Sequence, residues 1–561
     1  FDSYVYLVCL VDSDEPGKIR YYKRKLSFLK DHIFESLKNQ EDFFDKIENL
    51  RFIDKNILSK IEEVKKYQRI GKFKKKFLEF LIKKTLNIFL DSDFEDLPYE
   101  IYTLRDIWLI KDVDSFYVDF YKIIKKYGIT LDFRYFREKI RFWIDFVIKN
   151  YFGFAFFYEI YGVYSFLKRR FMENGLEFIE SGSIARFDKF IENICFIFPF
   201  CVNNPMQWIK DVFKDIQIID FDVFVNNDFG YAVVNLNIAF CKVPLTLVFS
   251  DNWVLFHLYF LFNNRLFFNV SLEEFLKNSI KLGVKSVDDF YEILGVNFIP
   301  FELIDYPNIF ELAKTENFKD LIELSDIKGD LHIHSSFSDG KNSVEEIVRY
   351  SKKKNYEYVG ISDHVDYLVG KYDSYANLEE LDGVYIWWAV EENIDSKGYL
   401  FSTFNEEVSR LVEKLNYINL SIHSDFKLSE HQNVERIKRA LSFRKGLIFC
   451  HPTSRILGIR EPIKISKEEM FKIFDYTIEN NKYIEINSHL DRLDLDYNYI
   501  IDYKMIKGKE LNLVINTDAH SLNQMDYMEF GVKWARKAMV KKQNVLNTKN
   551  SQELKQILCN I

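Results

Sequence analysis

Between Gly329 and His520, short apolar runs alternate with amphipathic stretches, and a histidine or a carboxylate closes almost every run. The runs are Leu331–His334, Tyr358–Ser362, Val384–Val390, Asn419–His423, Leu447–Cys450, Lys482–Ile486 and Leu513–Asn516. Between most of them lie stretches with helical periodicity: Val344–Lys354, Glu406–Leu415, Val434–Leu441, Lys467–Asn480 and Val532–Val540. Strand–helix alternation predicts a parallel sheet, here a seven-stranded barrel, with its functional site at the C-terminal strand ends.

Nine potential metal ligands fall at those ends: His332, His334, Asp339, His364, Glu391, His423, His451, Asp518 and His520. Six of the ten histidines of the chain belong to this set. On a strand, residues two apart face the same side, so His332 and His334 can serve one site. Asp339-Gly340 follows in a loop, where glycine permits the turn that returns the carboxylate. Clustered imidazoles and carboxylates are costly to bury unless they bind metal or pair with one another. Mixed nitrogen and oxygen donors suit Zn²⁺, Mn²⁺ or Fe²⁺ better than Ca²⁺ or Mg²⁺ alone. Nine ligands exceed one ion and suit two or three divalent ions sharing a bridging carboxylate. His32, His257, His431 and His489 lack such a context and read as ordinary core or surface histidines.

At 561 residues the chain is too long for one ordinary domain. The 55 Phe and 34 Tyr fit core packing and compositional drift better than a binding signature. From Lys18 to Lys84 there are twenty Lys/Arg against ten Asp/Glu, on a chain of net charge -8. That basic region fits a polyanion such as nucleic acid, and equally a solvated helical surface. Six scattered cysteines without a C-x-x-C pair argue against a disulfide framework or thiolate zinc site and point to a reducing cytoplasm. No apolar stretch reaches membrane-spanning length. The start, Phe1-Asp2-Ser3, has neither a Met nor a signal-peptide pattern, so a few residues are expected to be missing.

The metal-ligand segments also carry a resemblance. Gly329-Asp330-Leu331-His332-Ile333-His334-Ser335-Ser336-Phe337-Ser338-Asp339-Gly340 and Ser362-Asp363-His364 resemble the first two motifs of the PHP (polymerase and histidinol phosphatase) domain. His451-Pro452-Thr453-Ser454-Arg455-Ile456-Leu457-Gly458 resembles the version attached to bacterial family X DNA polymerases. So do Glu485-Ile486-Asn487, Arg492-Leu493-Asp494-Leu495 and Thr517-Asp518-Ala519-His520, with Ser454 standing for a usual glycine. The resemblance implies metal-dependent phosphoester hydrolysis, typically 3′–5′ exonuclease action with Mn²⁺. Asp339, Glu391, Asp518 and Arg455 are the catalytic residues expected. Arg455, ahead of Arg460 and Arg492, is the candidate phosphate clamp, since guanidinium matches phosphate bidentately.

The resemblance continues upstream, where its chemistry is lost. Ser181-Gly182-Ser183-Ile184-Ala185-Arg186 looks like the start of the family X nucleotidyltransferase palm. Tyr291–Val296 and Ile299–Leu303 look like the segment that closes that core, and Ile19-Arg20-Tyr21-Tyr22 like the start of the helical DNA-binding domain. Nucleotidyl transfer needs three carboxylates around two metals. Asn193 and Cys195 stand at the first two places, and Pro244 near the third. Asp188 and Asp222 are the nearby carboxylates, and neither forms an Asp-x-Asp pair in the palm motif. The helix-hairpin-helix resemblance near Asn49–Lys65 has Arg51–Lys55 where a glycine-rich hairpin belongs; the basic run Lys72–Lys76 offsets this in part.

The chain is thus expected to be multidomain. Residues 1–90 form a helical DNA-binding-like domain, 91–175 a helical fingers-like region, 176–324 a degenerate α+β palm, and 325–561 a distorted (β/α)7 PHP barrel. Three functions compete: a nuclease acting on DNA, a phosphomonoesterase of histidinol-phosphatase type, and a non-catalytic DNA-binding scaffold. Complete retention of the ligand set favours an enzyme over the scaffold. The polymerase-like half favours nucleic acid over a metabolite, by fold analogy.

Overall fold

The computed structural model describes residues 155–202, 204–238, 241–262, 272–306, 308–371 and 374–560. The chain divides into two compact units, Phe1–Phe152 and Gly153–Ile561. The first lies outside the described residues, and with it the helical domain over 1–90, the hairpin near Asn49–Lys65, the basic run and His32.

The second unit starts with the short strand β1 (Ala155–Phe156) and helix α1 (Phe157–Glu173). Next come β2 (Ile179–Ser181), β3 (Phe190–Ile191), β4 (Ile194–Phe198), β5 (Ile218–Asn226), β6 (Tyr231–Ile238) and β7 (Leu245–Ser250). β1 pairs with β3; the other five form a mixed sheet in the order β2-β4-β7-β6-β5, with β4 and β7 parallel. The apolar side of α1 covers one face, where Phe171 meets Phe196 and Phe198 edge-on. Helix α2 (Trp253–Phe262) has Val254, Leu255, Phe256, Leu258 and Leu261 buried together with Ile197 and Val248 of the sheet. An α+β arrangement, a mixed sheet with helical cover, thus lies within residues 155–262, and its cover includes α1, which precedes position 176.

Seven parallel strands follow: β8 (Gly329–Ile333), β9 (Tyr358–His364), β11 (Val384–Asn393), β12 (Tyr417–Ser421), β13 (Gly446–Phe449), β14 (Tyr483–Asn487) and β15 (Leu513–Asn516). They run in the order β15-β14-β13-β12-β11-β9-β8, and the two-residue β10 (Glu380–Leu381) hangs on β11. A parallel bridge between Ile333 and Ala519 brings the first strand against the end of the last. The result is the expected distorted (β/α)7 barrel. Its strands are buried along almost their whole length, as apolar runs covered on both faces require.

Helices α3 (Val344–Lys353), α4 (Glu406–Lys414), α5 (Glu430–Leu441), α6 (Lys467–Glu479), α7 (Tyr497–Lys507), α8 (Met528–Lys537) and α9 (Ser551–Cys559) surround it. Their starts are set by side-chain caps. Ser343 accepts from the Glu346 amide and Ser429 from the Gln432 amide, and the N3 side chain answers in each case. The Ser429 box explains why α5 starts four residues before the expected Val434. Helix α7 has almost no apolar periodicity and was not expected; Asp496 caps it and Gly508 ends it at φ +65°.

Sheet and barrel share one core. Phe157 and Phe187 pack on Phe530, and Phe187 also meets Trp534 edge-on. Buried Lys537 lies 3.8 Å from Asp188, and Arg536 reaches Glu302 at 3.2 Å. Helix α8 thereby ties the palm-like sheet to the barrel within one compact unit.

Candidate metal centre

All nine residues singled out from the strand ends converge on the C-terminal mouth of the barrel. Glu391, at the end of β11, is the hub. Its Oε1 lies 3.0 Å from His451 Nε2, 3.1 Å from His423 Nε2 and 3.5 Å from His332 Nε2. Its Oε2 lies 3.1 Å from His364 Nδ1 and 3.5 Å from His334 Nε2. Burial alone would raise the Glu391 pKa, yet His423 and His332 hold it well below the usual carboxylate range. Asp518 completes the inner edge, with Oδ1 3.1 Å from His334 Nε2. Asp339 and His520 close the outer edge at 3.4 Å from each other. The floor, formed by His332, His334, Glu391 and His451, is buried, whereas Asp339, His364, His423 and His520 are partly exposed.

This donor set fits divalent cations. Imidazole nitrogens face one another, His332 Nε2 to His334 Nε2 at 3.3 Å and His423 Nε2 to His451 Nε2 at 3.4 Å. Nitrogen lone pairs aimed at a common point with buried carboxylates are the pattern a metal satisfies. Three overlapping groups at the mouth have ligand atoms close enough for one ion each: His334/Asp339/His364/His520, His332/His334/Glu391 and His364/Glu391/His423. Burial, then the charge of Arg492, pushes the His451 pKa down to about 4, so this ring keeps a lone pair for coordination.

A further group, His332/Cys450/Glu485, lies beneath them. Here the simpler reading is outer-layer support. Glu485 Oε1 accepts from His332 Nδ1 at 2.7 Å, which fixes the tautomer and leaves Nε2 for the centre. Glu485 also accepts from the His451 amide and from Asn516 Nδ2. The Glu485-Ile486-Asn487 resemblance marks this segment, but the supporting role of the glutamate follows only from its contacts.

The arginines are rearranged relative to expectation. Arg455 is buried and committed elsewhere: Nη1 donates to Asp496 at 2.7 Å, Nε to the Arg492 carbonyl at 2.9 Å, and Nη2 to the Leu493 carbonyl. It braces the loop over 492–496, and these three contacts occupy Nε, Nη1 and Nη2. Arg492, ranked behind Arg455 from sequence, is the arginine beside the centre: Nε lies 3.5 Å from Asp518 Oδ2, and buried Nη1 has no hydrogen-bond partner among the described residues. Arg460 donates to the Ser454 carbonyl and lies over the Phe426 ring, 4.2 Å from its centroid. Ser454, where glycine was usual, has φ +52°, the left-handed region that favours glycine; its hydroxyl donates to the Ile422 carbonyl.

His489, read from sequence as an ordinary histidine, lies beside the centre. The His520 amide donates to Gln524 Oε1 at 2.7 Å, Gln524 Nε2 meets His489 Nε2 at 3.1 Å, and His489 Nδ1 meets Asp491 Oδ1 at 2.5 Å. An amide N–H can only donate, so Gln524 turns its oxygen to His520 and its nitrogen to His489. His489 must then accept at Nε2 and donate from Nδ1. Its backbone carbonyl also accepts from the Arg492 amide. His257 is buried on α2 and paired with Ser181 Oγ at 3.0 Å, and His431 is exposed on α5.

The palm-like sheet holds no comparable set among the described residues. Asn193 Nδ2 donates to Thr246 Oγ1 at 3.0 Å, and Thr246 Oγ1 to Asn235 Oδ1 at 2.9 Å. The residue facing Asn193 is thus Thr246 on β7, not Pro244, which precedes that strand. Cys195 is fully buried, Asp188 is locked to Arg186 at 2.8 Å, and Asp222 is exposed on the edge strand β5. Among the described residues, every histidine, cysteine and carboxylate group suited to a metal lies in the barrel.

Residues 330–489 match the PHP domain. Over 284 residues the chain is 32% identical to the DNA polymerase/3′-5′ exonuclease PolX of Bacillus subtilis (strain 168), covering 48% of this chain and 47% of that protein. The chain therefore spans about half the length of that relative. A solved structure of histidinol phosphate phosphatase from Lactococcus lactis, complexed with zinc, L-histidinol and phosphate, is 17% identical at a TM-score of 0.26; the match covers 37% of this chain and 93% of that one. No helix among the described residues is long and apolar enough to cross a membrane.

Proposed function

We propose that the PHP domain formed around residues 330–489 makes this chain a metal-dependent phosphodiesterase that acts as a 3′–5′ exonuclease on DNA. The observation that carries the reading is the convergence of six imidazoles and two carboxylates, Asp339 and Asp518, around Glu391, with the uncommitted donor of Arg492 at their edge. The similarity to a DNA polymerase/3′-5′ exonuclease supports DNA as substrate. The neutral Asn193–Thr246–Asn235 chain in the palm-like sheet argues against nucleotidyl transfer, because hard Mg²⁺ ions need carboxylates there.

Two or three divalent ions would be held by the nine residues, Mn²⁺ for activity with Zn²⁺ or Fe²⁺ as alternatives. Bound there, they would supply water activation and charge neutralisation at phosphorus. Arg492 holds the non-bridging oxygens of the phosphate through the donors that Asp518 does not occupy. Asp518 orients Arg492, and Asn487 Nδ2 fixes the same carboxylate oxygen at 3.1 Å. Asp339 is the most exposed carboxylate of the mouth and the one placed to take up a proton from solvent-side groups. Glu485 and the Asp491–His489–Gln524 chain orient the residues that touch the substrate.

The test is Mn²⁺-dependent digestion of a 3′-labelled single-stranded oligonucleotide, beside an Asp518→Ala/His520→Ala double variant. Release of the label as a mononucleotide by the unaltered protein alone supports the proposal. Hydrolysis of a small phosphomonoester without any digestion would replace it with the histidinol-phosphatase type of activity. Inertness toward both, with metal bound, would leave a DNA-binding scaffold.

A further inference from the structure

Tyr367 stands at the rim of the metal centre on a support that leaves its ring to solvent. The single 3-10 turn Val365–Leu368 follows directly on His364 and is anchored by Val365 and Leu368, both buried. Tyr367 between them is 50% exposed, as is Val369 just beyond. The Tyr367 ring lies 6.0 Å from the His364 ring, tilted by 36°. The anchored turn therefore holds a half-exposed aromatic ring beside a candidate ligand. Exposed apolar surface fixed at the mouth of a site is a feature of ligand recognition more than of packing.

We infer that Tyr367 is a stacking platform for the nucleobase of the nucleotide whose phosphate enters the centre. This rests on the exonuclease reading and names the part of the substrate that the centre itself does not recognise. The ligand atoms and Arg492 read only phosphate. An aromatic face is sequence-tolerant, because every base offers a π-surface, and this suits an enzyme that must accept successive nucleotides. Charge agrees with the arrangement. Arg492, whose buried Nη1 has no hydrogen-bond partner among the described residues, supplies the cation for the phosphate. Aromatic recognition by Tyr367 thus complements phosphate recognition by arginine at one mouth. A phosphomonoesterase for an aliphatic substrate would have no use for the ring.

The test is binding by the full chain loaded with Mn²⁺, measured by calorimetry with two probes, dAMP and 2-deoxyribose 5-phosphate. They share a phosphate and a sugar and differ in the base. The unaltered protein and Tyr367→Phe are expected to bind dAMP roughly 5- to 150-fold more tightly than the base-free probe. Tyr367→Ala and Tyr367→Leu are expected to bring the two probes to equal affinity, with binding of 2-deoxyribose 5-phosphate unchanged. A preference for dAMP that survives in both variants, or its absence in the unaltered protein, overturns the inference. An equal loss for both probes also overturns it, since the ring would then be supporting the centre. Oligonucleotide digestion is scored separately. Digestion with an unchanged Tyr367→Ala profile sinks the platform alone; a dAMP preference without digestion sinks the exonuclease reading alone.

Discussion

Arg492 directs its Nε at Asp518 Oδ2 from 3.5 Å, while its buried Nη1 has no partner among the described residues. A guanidinium nitrogen left buried and unsatisfied is costly unless another anion completes it. We therefore expect Arg492→Ala to lower kcat/KM for a phosphodiester by about 10²- to 10³-fold, with Arg492→Lys intermediate because it cannot form the bidentate contact. Steady-state kinetics on one phosphodiester substrate checks this order.

Arg455, four residues after the candidate ligand His451 in the same mouth loop, should behave differently. Its side chain is committed to Asp496 and two carbonyls. Arg455→Ala should destabilise the fold by about 3–5 kcal/mol in denaturant unfolding, as loss of one member of a buried pair does. The fraction that stays folded should keep its KM. Equal kinetic damage from both arginines, with stability unchanged, would contradict this division of roles.

Glu391 faces five imidazoles, so neutralising it should empty the centre. We expect Glu391→Gln to purify with less bound metal than the unaltered protein, as read by elemental analysis. Glu485→Gln should weaken metal affinity by roughly 10- to 100-fold, because it frees the His332 tautomer without removing a ligand. Chelation should lower the unfolding temperature of the unaltered protein and hardly affect Glu391→Gln. Full metal content in both variants would show that neither carboxylate supports the centre.

The Gln524–His489–Asp491 chain ties the loop of His520 to the loop of Arg492. His489→Leu breaks both of its side-chain contacts, and a fall in activity on the order of 10-fold is expected. Metal content should hold, because none of the nine ligands is altered. Loss of metal in step with activity would place His489 in the centre itself.

Burial lowers the pKa of His257 to about 4, on a helix of the palm-like sheet and not of the barrel. In the unfolded chain the same ring titrates near 6.5. Well above pH 6.5 the ring is neutral in both states and has no effect on stability. Below it the unfolded chain binds more protons, so stability falls as pH drops from 6.5 toward 4. The loss attributable to this ring is about 2 kcal/mol at about pH 5. Comparing urea unfolding at about pH 7 and about pH 5 checks it: His257→Gln should lose less stability over that interval than the unaltered protein. Identical losses would remove His257 as the cause.

Much of the barrel was legible from the chain alone. Each strand had an apolar run, most with a ligand at the end, and strand–helix alternation admits few topologies. Helix α7 was not legible: its sequence, Tyr497–Lys507, has no clear apolar stripe, and only the Asp496 cap and Gly508 stop bound it. The nine donors could be named from spacing, since strand ends in a parallel barrel share one mouth. Glu485 and His489 could not, because their roles depend on which atoms they meet across strands.

By itself, then, the sequence determined the barrel, the candidate donors, and the absence of carboxylates at positions 193, 195 and 244, because these depend on periodicity and residue type. Tertiary structure decided how the arginines divide their work, placed Thr246 rather than Pro244 against Asn193, and put Tyr367 in solvent beside His364. Those outcomes depend on distance and direction between side chains far apart in the chain, and a long flexible residue such as arginine can reach several partners from one position. Packing alone selects among them.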